Sequence, residues 1–203
     1  MNELVAVNGD RFADLADALD VRTDEFLRTS KDPRHAAGVT ALWQACEQAG
    51  DLYTQDYAGL YCPGCEQFYA PDELAAGLCV EHRLLAVEVT ETNWFFRLSR
   101  YREQITDLIT SGQLDITPVA RRNEVLGFLA GEVHDLSVSR PAARAGGWGI
   151  PVPGDDSQVV YVWFDALTNY LTGLGFATGD DANYLRWWAG DGDRIHVVGK
   201  GIV

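Results

Sequence analysis

The sequence predicts an α/β protein in which part of a parallel sheet, with helices on its faces, is interrupted by a small metal-stapled segment. Three observations carry this. The run Val159-Val-Tyr-Val-Trp163 is continuously β-branched and aromatic, the pattern of a central strand covered on both faces. It passes into a helical pattern in which Asp165 suits a cap and Leu167, Tyr170, Leu171 and Leu174 form a stripe ending at Gly175. Ligands of open α/β sheets bind at such carboxyl ends of strands. Finally, Leu52 to His82 is rich in Tyr, Cys, Gly and Pro with little periodicity, and it holds Cys62-Pro-Gly-Cys65 and Cys79-Val-Glu-His82. A segment so poor in core residues needs a staple, and Cys62, Cys65, Cys79 and His82 offer the closed Cys₃His set of a structural Zn²⁺.

The remaining elements read in order. Phe12, Leu15, Ala16 and Leu19 predict one short amphipathic helix, and Phe26-Leu27-Arg28-Thr29 a short strand. Asp32 caps a helix with Pro33 in its first turn, an apolar stripe of Val39, Leu42, Trp43 and Cys46, and a stop at Gly50. Glu91-Thr-Asn-Trp-Phe-Phe-Arg-Leu98 reads as a strand burying three aromatics. The helix after it has Ser99 as cap, Tyr101, Ile105, Leu108 and Ile109 inside, and Gly112 as its stop. Another helix starts at Thr117-Pro118, buries Val125, Phe128 and Leu129, and carries Arg121 and Arg122 on a face that is either solvated or set against phosphates. Trp148-Gly-Ile-Pro-Val-Pro153 is a stiff apolar loop, because its prolines fix φ and hold Ile150 and Val152 extended. Arg194-Ile-His-Val-Val-Gly199 reads as a last strand. The following Lys200 lacks P-loop spacing and is only a candidate phosphate contact.

A chain of 203 residues supports one core, or one core with a small insertion. With 16 Lys plus Arg against 30 Asp plus Glu, the formal charge of −14 excludes a general polyanion-binding surface; DNA is not expected as a partner, and any RNA contact must be local. No apolar run reaches the length of a membrane span, and the first residues lack the pattern of a secretory signal. With three of four cysteines in metal-type spacing, the expected compartment is the reducing cytoplasm.

Trp148-Gly-Ile-Pro together with Val160-Tyr-Val-Trp-Phe-Asp-Ala166 resembles the catalytic domain of the methionyl-tRNA synthetases, within the class I aminoacyl-tRNA synthetases. The likeness extends from about Asp24 to Val203 and includes Leu60-Tyr-Cys62, Cys65-Glu-Gln-Phe-Tyr69, the Asn93-Trp-Phe-Phe96 run and Asp135-Leu-Ser-Val-Ser-Arg-Pro141. It implies a doubly wound, Rossmann-like nucleotide-binding domain with a zinc knuckle in an inserted domain. Residues 1–50 would end the first half of that domain, 51–134 would form the insertion, and 135–203 would begin the second half. The implied activity is methionine-tRNA ligase: ATP with Mg²⁺ activates methionine to methionyl-adenylate, and the methionyl group passes to the 3′ end of tRNA(Met). By position, the resemblance puts Trp163, Ala166, Leu167, Tyr170 and Ile202 around methionine. It puts Arg140, Gly199 and Lys200 on the ATP side, with a structural pairing of Arg140 to a nearby Asp as the other reading. No catalytic residue is assigned.

There are departures too. Gly201 stands where the family's Gly-Lys-Asp-Ile string has its carboxylate, Leu167 where some members have Pro, and Trp94 at the second position of the aromatic run. Neither His-x-Gly-His nor Lys-Met-Ser-Lys-Ser occurs among these residues, so the chain alone is expected to be inactive. It reads as a fragment of a synthetase; the alternative is a truncated, non-catalytic paralogue acting as a zinc-containing binding module.

Overall fold

The computed structural model describes residues 2–65 and 67–199, and its strands all belong to antiparallel ladders. Strand β1 (Leu52–Cys62) pairs with β2 (Gln67–Tyr69) on one side and β3 (Val87–Phe96) on the other, and β4 (Leu136–Ser137) closes a sheet of order β2-β1-β3-β4. The β1–β3 register is unbroken from Leu52 opposite Phe96 to Tyr61 opposite Val87. Instead of three buried aromatics, β3 turns alternate residues Glu91, Asn93 and Phe95 inward, as a strand with one covered face must. The stretch after Leu52, which shows little periodicity in the sequence, begins with a long strand: its Tyr and Thr side chains suit a pleated ladder whose partner lies far along the sequence.

A second sheet has the order β5-β7-β6, from β5 (Ser139–Pro141), β6 (Pro151–Val152) and β7 (Asp155–Val160). The expected strand Val159 to Trp163 is shifted to Asp155–Val160, and its pairing is antiparallel. The reason is connectivity: a parallel pair needs a long crossover, whereas β6 and β7 are joined by the tight turn at Gly154, φ +81°. The Trp148 loop runs into β6, an edge strand that accommodates Pro151. At Gly149, φ +115°, a Cβ would sit 3.2 Å from Val159 Cβ, so the close approach to β7 also favours glycine.

Helices account for most of the rest. α1 (Asn2–Ala18) is longer than its apolar stripe predicts, and α2 (Pro33–Gln48) matches the expected capped helix, with Gly50 at φ +72° beyond its end. α3 (Arg102–Thr110) follows a single 3₁₀ turn, and α4 (Val119–Ala130) follows Pro118. Ile109, Leu129 and Val133 form a small core with Ile105, Val125 and Leu126 around them. Phe128 is 58% exposed, because Val125, Leu126 and Leu129 already fill the inward stripe. Ser99 does not cap a helix; its N–H and hydroxyl both donate to Asp135 Oδ1. After β7 come α5 (Val162–Leu167) and α6 (Asn169–Thr172). Asp165 thus lies inside α5 and is not its cap. Residues 26–29 and 194–199 are irregular, not strands: no described strand lies beside either to complete a ladder. Among the described residues no helix is long and apolar enough to cross a membrane.

The chain divides into two units. One comprises the described residues up to Trp43 with Val162–Val197, and the other Gln44–Tyr161 with Val198 and Gly199. The first is helical. Within it α2 and α6 approach so closely that a Cβ on Gly38 would lie 2.1 Å from Thr172 Cγ2. Both sheets belong to the second unit, where Trp94 on β3 donates its indole N–H to Asp155 Oδ2 at 3.0 Å.

Gly38→Ala is expected to destabilise the helical unit by about 1–3 kcal/mol through overpacking, read as a lower urea midpoint by tryptophan fluorescence. Asp155 generates a pH prediction. The Ser157 hydroxyl, then the Trp94 indole, hold its carboxyl below the usual carboxylate range. A depressed folded pKa stabilises above the unfolded value of about 3.9, and that stabilisation is lost as pH falls through the folded value. The urea midpoints of wild type and Asp155→Asn should therefore differ by a constant amount from pH 5 to 8 and converge below about pH 4.

Candidate functional site

The β1–β2 hairpin builds the first candidate site. Cys62 ends β1, Cys65 follows in the turn, and Cys79 and His82 come from a second short loop whose Cys79 N–H donates to the Leu84 carbonyl at 2.9 Å. The ligand atoms of Cys62, Cys65, Cys79 and His82 all lie within 4.8 Å of one another. Cys65 Sγ is 3.1 Å from both Cys79 Sγ and His82 Nδ1. A ZnS₃N tetrahedron has edges of about 3.8 Å, so the four donors already bracket the spacing a zinc ion requires. Gly64 is needed for this arrangement: a Cβ there would come within 2.9 Å of His82 Cγ.

The electrostatics suit a cation. The backbone N–H of His82, together with Cys65, pulls the Cys79 thiol down to about 6, which favours the thiolate that a metal binds. Burial raises Cys65 to about 11 in the absence of a cation. Cys62 and Cys79 are fully buried, while Cys65 and His82 reach the surface. All four cysteines of the chain are free, including Cys46 on α2.

The second candidate lies on α5 and α6. Trp163, Leu167 and Tyr170, spaced by four and three residues, are 44%, 42% and 37% exposed, with Ala166 half-buried beside them. They form one open apolar face, and Tyr170 meets the His196 ring edge-on with centroids 4.8 Å apart. The opposite face packs inward: Phe164 contacts Trp43 edge-to-face, and Thr168 and Thr172 are buried. Fully buried His35 donates from Nε2 to Asp165 Oδ1 at 2.6 Å, while its Nδ1 meets Thr172 Oγ1 at 3.0 Å. A carboxylate only accepts, which places the proton on Nε2. This staple of α2 to α5 and α6 is not found by sequence reasoning, which sees neither role; the one available signal is a histidine in the first turn of an amphipathic helix.

Arg140 on β5 belongs to the unit with the sheets, whereas Trp163 to Tyr170 belong to the helical one. Lys200 and Ile202 lie outside the described residues, as does Gly201, and Gly199 ends an irregular segment. Arg140 Nη1 donates to Ser137 Oγ at 2.8 Å and to the Ser139 carbonyl at 2.7 Å, and the guanidinium lies 4.0 Å over the Tyr161 ring. Its partners are hydroxyl, carbonyl and π-face, and not the Asp of the alternative reading. Arg144 instead takes the buried carboxylate, reaching Glu91 Oε2 at 2.7 Å while stacked over Tyr61. Arg121 pairs with Glu124 on its own helix, and Arg122 turns toward the Ile109 carbonyl.

Similarity to known proteins covers both candidate sites. The family model described as tRNA synthetases class I (M) matches residues 1–84 and 83–203. The methionine–tRNA ligase of Brucella suis biovar 1 is 39% identical over 204 residues, covering 98% of this chain and 38% of that protein. That of Mycobacterium tuberculosis is 38% identical over 200 residues, covering 97% and 37%. The structure of Mycobacterium tuberculosis methionyl-tRNA synthetase in complex with methionyl-adenylate superposes with a TM-score of 0.82 at 38% identity, over 94% of this chain and 37% of that one. The apo form of the same enzyme gives 0.81 at 36% identity, over 94% and 38%. The chain thus spans less than two fifths of the length of these relatives.

If the Gly64 contact positions His82, Gly64→Ala should displace the imidazole and lower affinity for added Co²⁺ by about tenfold or more, measured by the visible absorption of the cobalt form.

Proposed function

Because this chain belongs to the class I tRNA synthetases (M), we propose that it is the central part of the catalytic region of a methionine–tRNA ligase that works in the cytoplasm. The observation that carries this is identity of 38–39% to methionine–tRNA ligases across nearly the whole chain. The helical unit is built from stretches that precede and follow Gln44–Tyr161 in the sequence, which supports an insertion between two halves of a Rossmann-like nucleotide-binding domain; we place that insertion at residues 51–134. Four free cysteines agree with a reducing compartment.

In this reading the open face of Trp163, Ala166, Leu167 and Tyr170, with Ile202, receives the methionine side chain. An apolar aromatic surface suits a flexible, polarisable thioether. Arg140, Gly199 and Lys200 face the nucleotide, which arrives with Mg²⁺. A carboxylate oxygen of methionine attacks the α-phosphorus of ATP, and the bond to pyrophosphate breaks. A hydroxyl of the terminal adenosine of tRNA(Met) then displaces AMP from the methionyl carbonyl. This chain's part in both steps is positioning and charge stabilisation, so no covalent enzyme intermediate is required.

Cys62, Cys65, Cys79 and His82 would hold a structural Zn²⁺, which when bound would cross-link the two loops that carry them. Three sulfurs and a nitrogen complete a tetrahedron and leave no position for substrate. About one zinc per chain is expected by elemental analysis, and Cys79→Ser should lose it and lower the thermal midpoint by several degrees.

The functional test is a segment exchange. Residues 24–203 replace the matching segment of the Mycobacterium tuberculosis enzyme, and methionine-dependent ATP–pyrophosphate exchange is measured. Exchange specific for methionine is expected, with Trp163→Ala raising the methionine KM about tenfold or more. A folded chimera that activates another amino acid, or none, would overturn the reading. The 203-residue chain by itself should give no exchange.

A further inference from the structure

The pairing of β2 with β1 sets Tyr69 opposite Leu60 and Gln67 opposite Cys62. Residues two apart share a face, so Tyr69 projects on the same side of the hairpin as Cys62, toward the Cys/His cluster. Its hydroxyl donates to Cys65 Sγ at 3.1 Å and lies 3.8 Å from Cys79 Sγ.

The ligands differ in what surrounds them. Cys62 and Cys79 are fully buried, and Cys79 receives backbone N–H groups from its own loop, at Glu81 and His82. Cys65 is half-exposed; its other close neighbours are Cys79 and His82, themselves ligands, and the Glu81 carboxylate, whose Oε2 lies 4.0 Å away and has no proton to give. Once a cation is held, the three sulfurs are thiolates that accept only, and the His82 nitrogen toward the metal has no proton to give. Among the described residues, the hydrogen bond that Cys65 keeps is then the one from Tyr69. A charge-assisted O–H···S⁻ bond draws electron density from the sulfur and fixes its direction, and outer-shell donors of this kind typically govern metal affinity by 10–100-fold.

We propose that Tyr69 is the outer-shell donor that keeps the exposed Cys65 thiolate on the metal, and that it sets the rate at which zinc leaves the site. The proposal rests on the zinc reading above. Tyr69→Phe removes one oxygen from a half-exposed ring whose packing is otherwise unchanged, so the hairpin should still form.

The experiment compares wild type, Tyr69→Phe and Tyr53→Phe. The last removes a hydroxyl that β1 directs at Asp135, away from the cluster. Zinc content is measured first, then the rate of zinc transfer to a chromogenic chelator, then the spectrum of the cobalt-substituted forms. All three should hold equal zinc, with release from Tyr69→Phe faster by about tenfold or more and Tyr53→Phe matching wild type. Loss of the hydrogen bond also makes the sulfur more electron-rich. The sulfur-to-cobalt charge-transfer band of Tyr69→Phe should move to longer wavelength while the ligand-field bands stay tetrahedral, which loosened packing alone would not produce. Equal zinc with equal release rates and superimposable spectra would overturn the role of Tyr69 and leave the zinc site standing. Wild-type protein without zinc affinity would overturn both.

Discussion

The long antiparallel register between β1 and β3 is the constraint on which the sheet-bearing unit depends. It begins beside Asp51, whose carboxylate accepts from Arg100 at 2.8 Å and from the Tyr101 hydroxyl, and it ends beside Cys62. A slip of one residue would turn Glu91, Asn93 and Phe95 outward and carry Cys62 away from its partners. The register thus decides at once which side chains are buried and whether four ligands can meet. The buried polar groups sharpen it. Asn93 donates to Glu91, Glu91 faces Arg144, and Gln158 reaches the Thr92 carbonyl while Ser139 donates to Gln158. With β3 out of register Glu91 would lose Arg144 and Gln158 would lose the Thr92 carbonyl, at a cost of about 1–3 kcal/mol each. Asn93 Oδ1 and Arg140 Nε remain buried without a hydrogen-bond partner among the described residues.

Aromatic faces carry much of the remaining cohesion of this unit. Arg97 lies 4.3 Å over Tyr53, Arg140 4.0 Å over Tyr161 and Arg144 4.4 Å over Tyr61. A planar guanidinium can stack and donate hydrogen bonds in its own plane at the same time, which lysine cannot. The bias of the basic residues toward arginine, with Lys31 and Lys200 the only lysines, therefore has a structural use within this unit.

The parts of the fold legible in the sequence were those written locally. Asp32-Pro33 and Gly50 bracket α2, Pro118 precedes α4, and the four members of the Cys/His cluster follow from two short spacings. What the sequence hid was non-local. β1 reads as an aperiodic stretch because its partner lies beyond both loops of the cluster. The Val159 to Trp163 run reads as one central strand, yet the chain leaves the strand after Val160, where the ladder with β5 ends, and coils from Val162. Tyr69 and His35 were illegible for a related reason: each acts on a residue whose position depends on tertiary pairing. The apolar α5–α6 face was legible as residue types and spacing; its openness was not.

The helical unit is made from two stretches of chain separated by the whole of Gln44–Tyr161. Synthesis at roughly 5–20 residues per second leaves roughly 6 to 24 s between completion of α2 and emergence of the α5–α6 pair that His35 and Gly38 meet. For that interval Trp43 has no Phe164 to pack against and His35 has no carboxylate. The sheet-bearing stretch, whose ladder partners lie between Asp51 and Tyr161, can settle first. The order in which the chain leaves the ribosome thus makes the interior segment the early-folding part, and the two flanking segments must wait for each other.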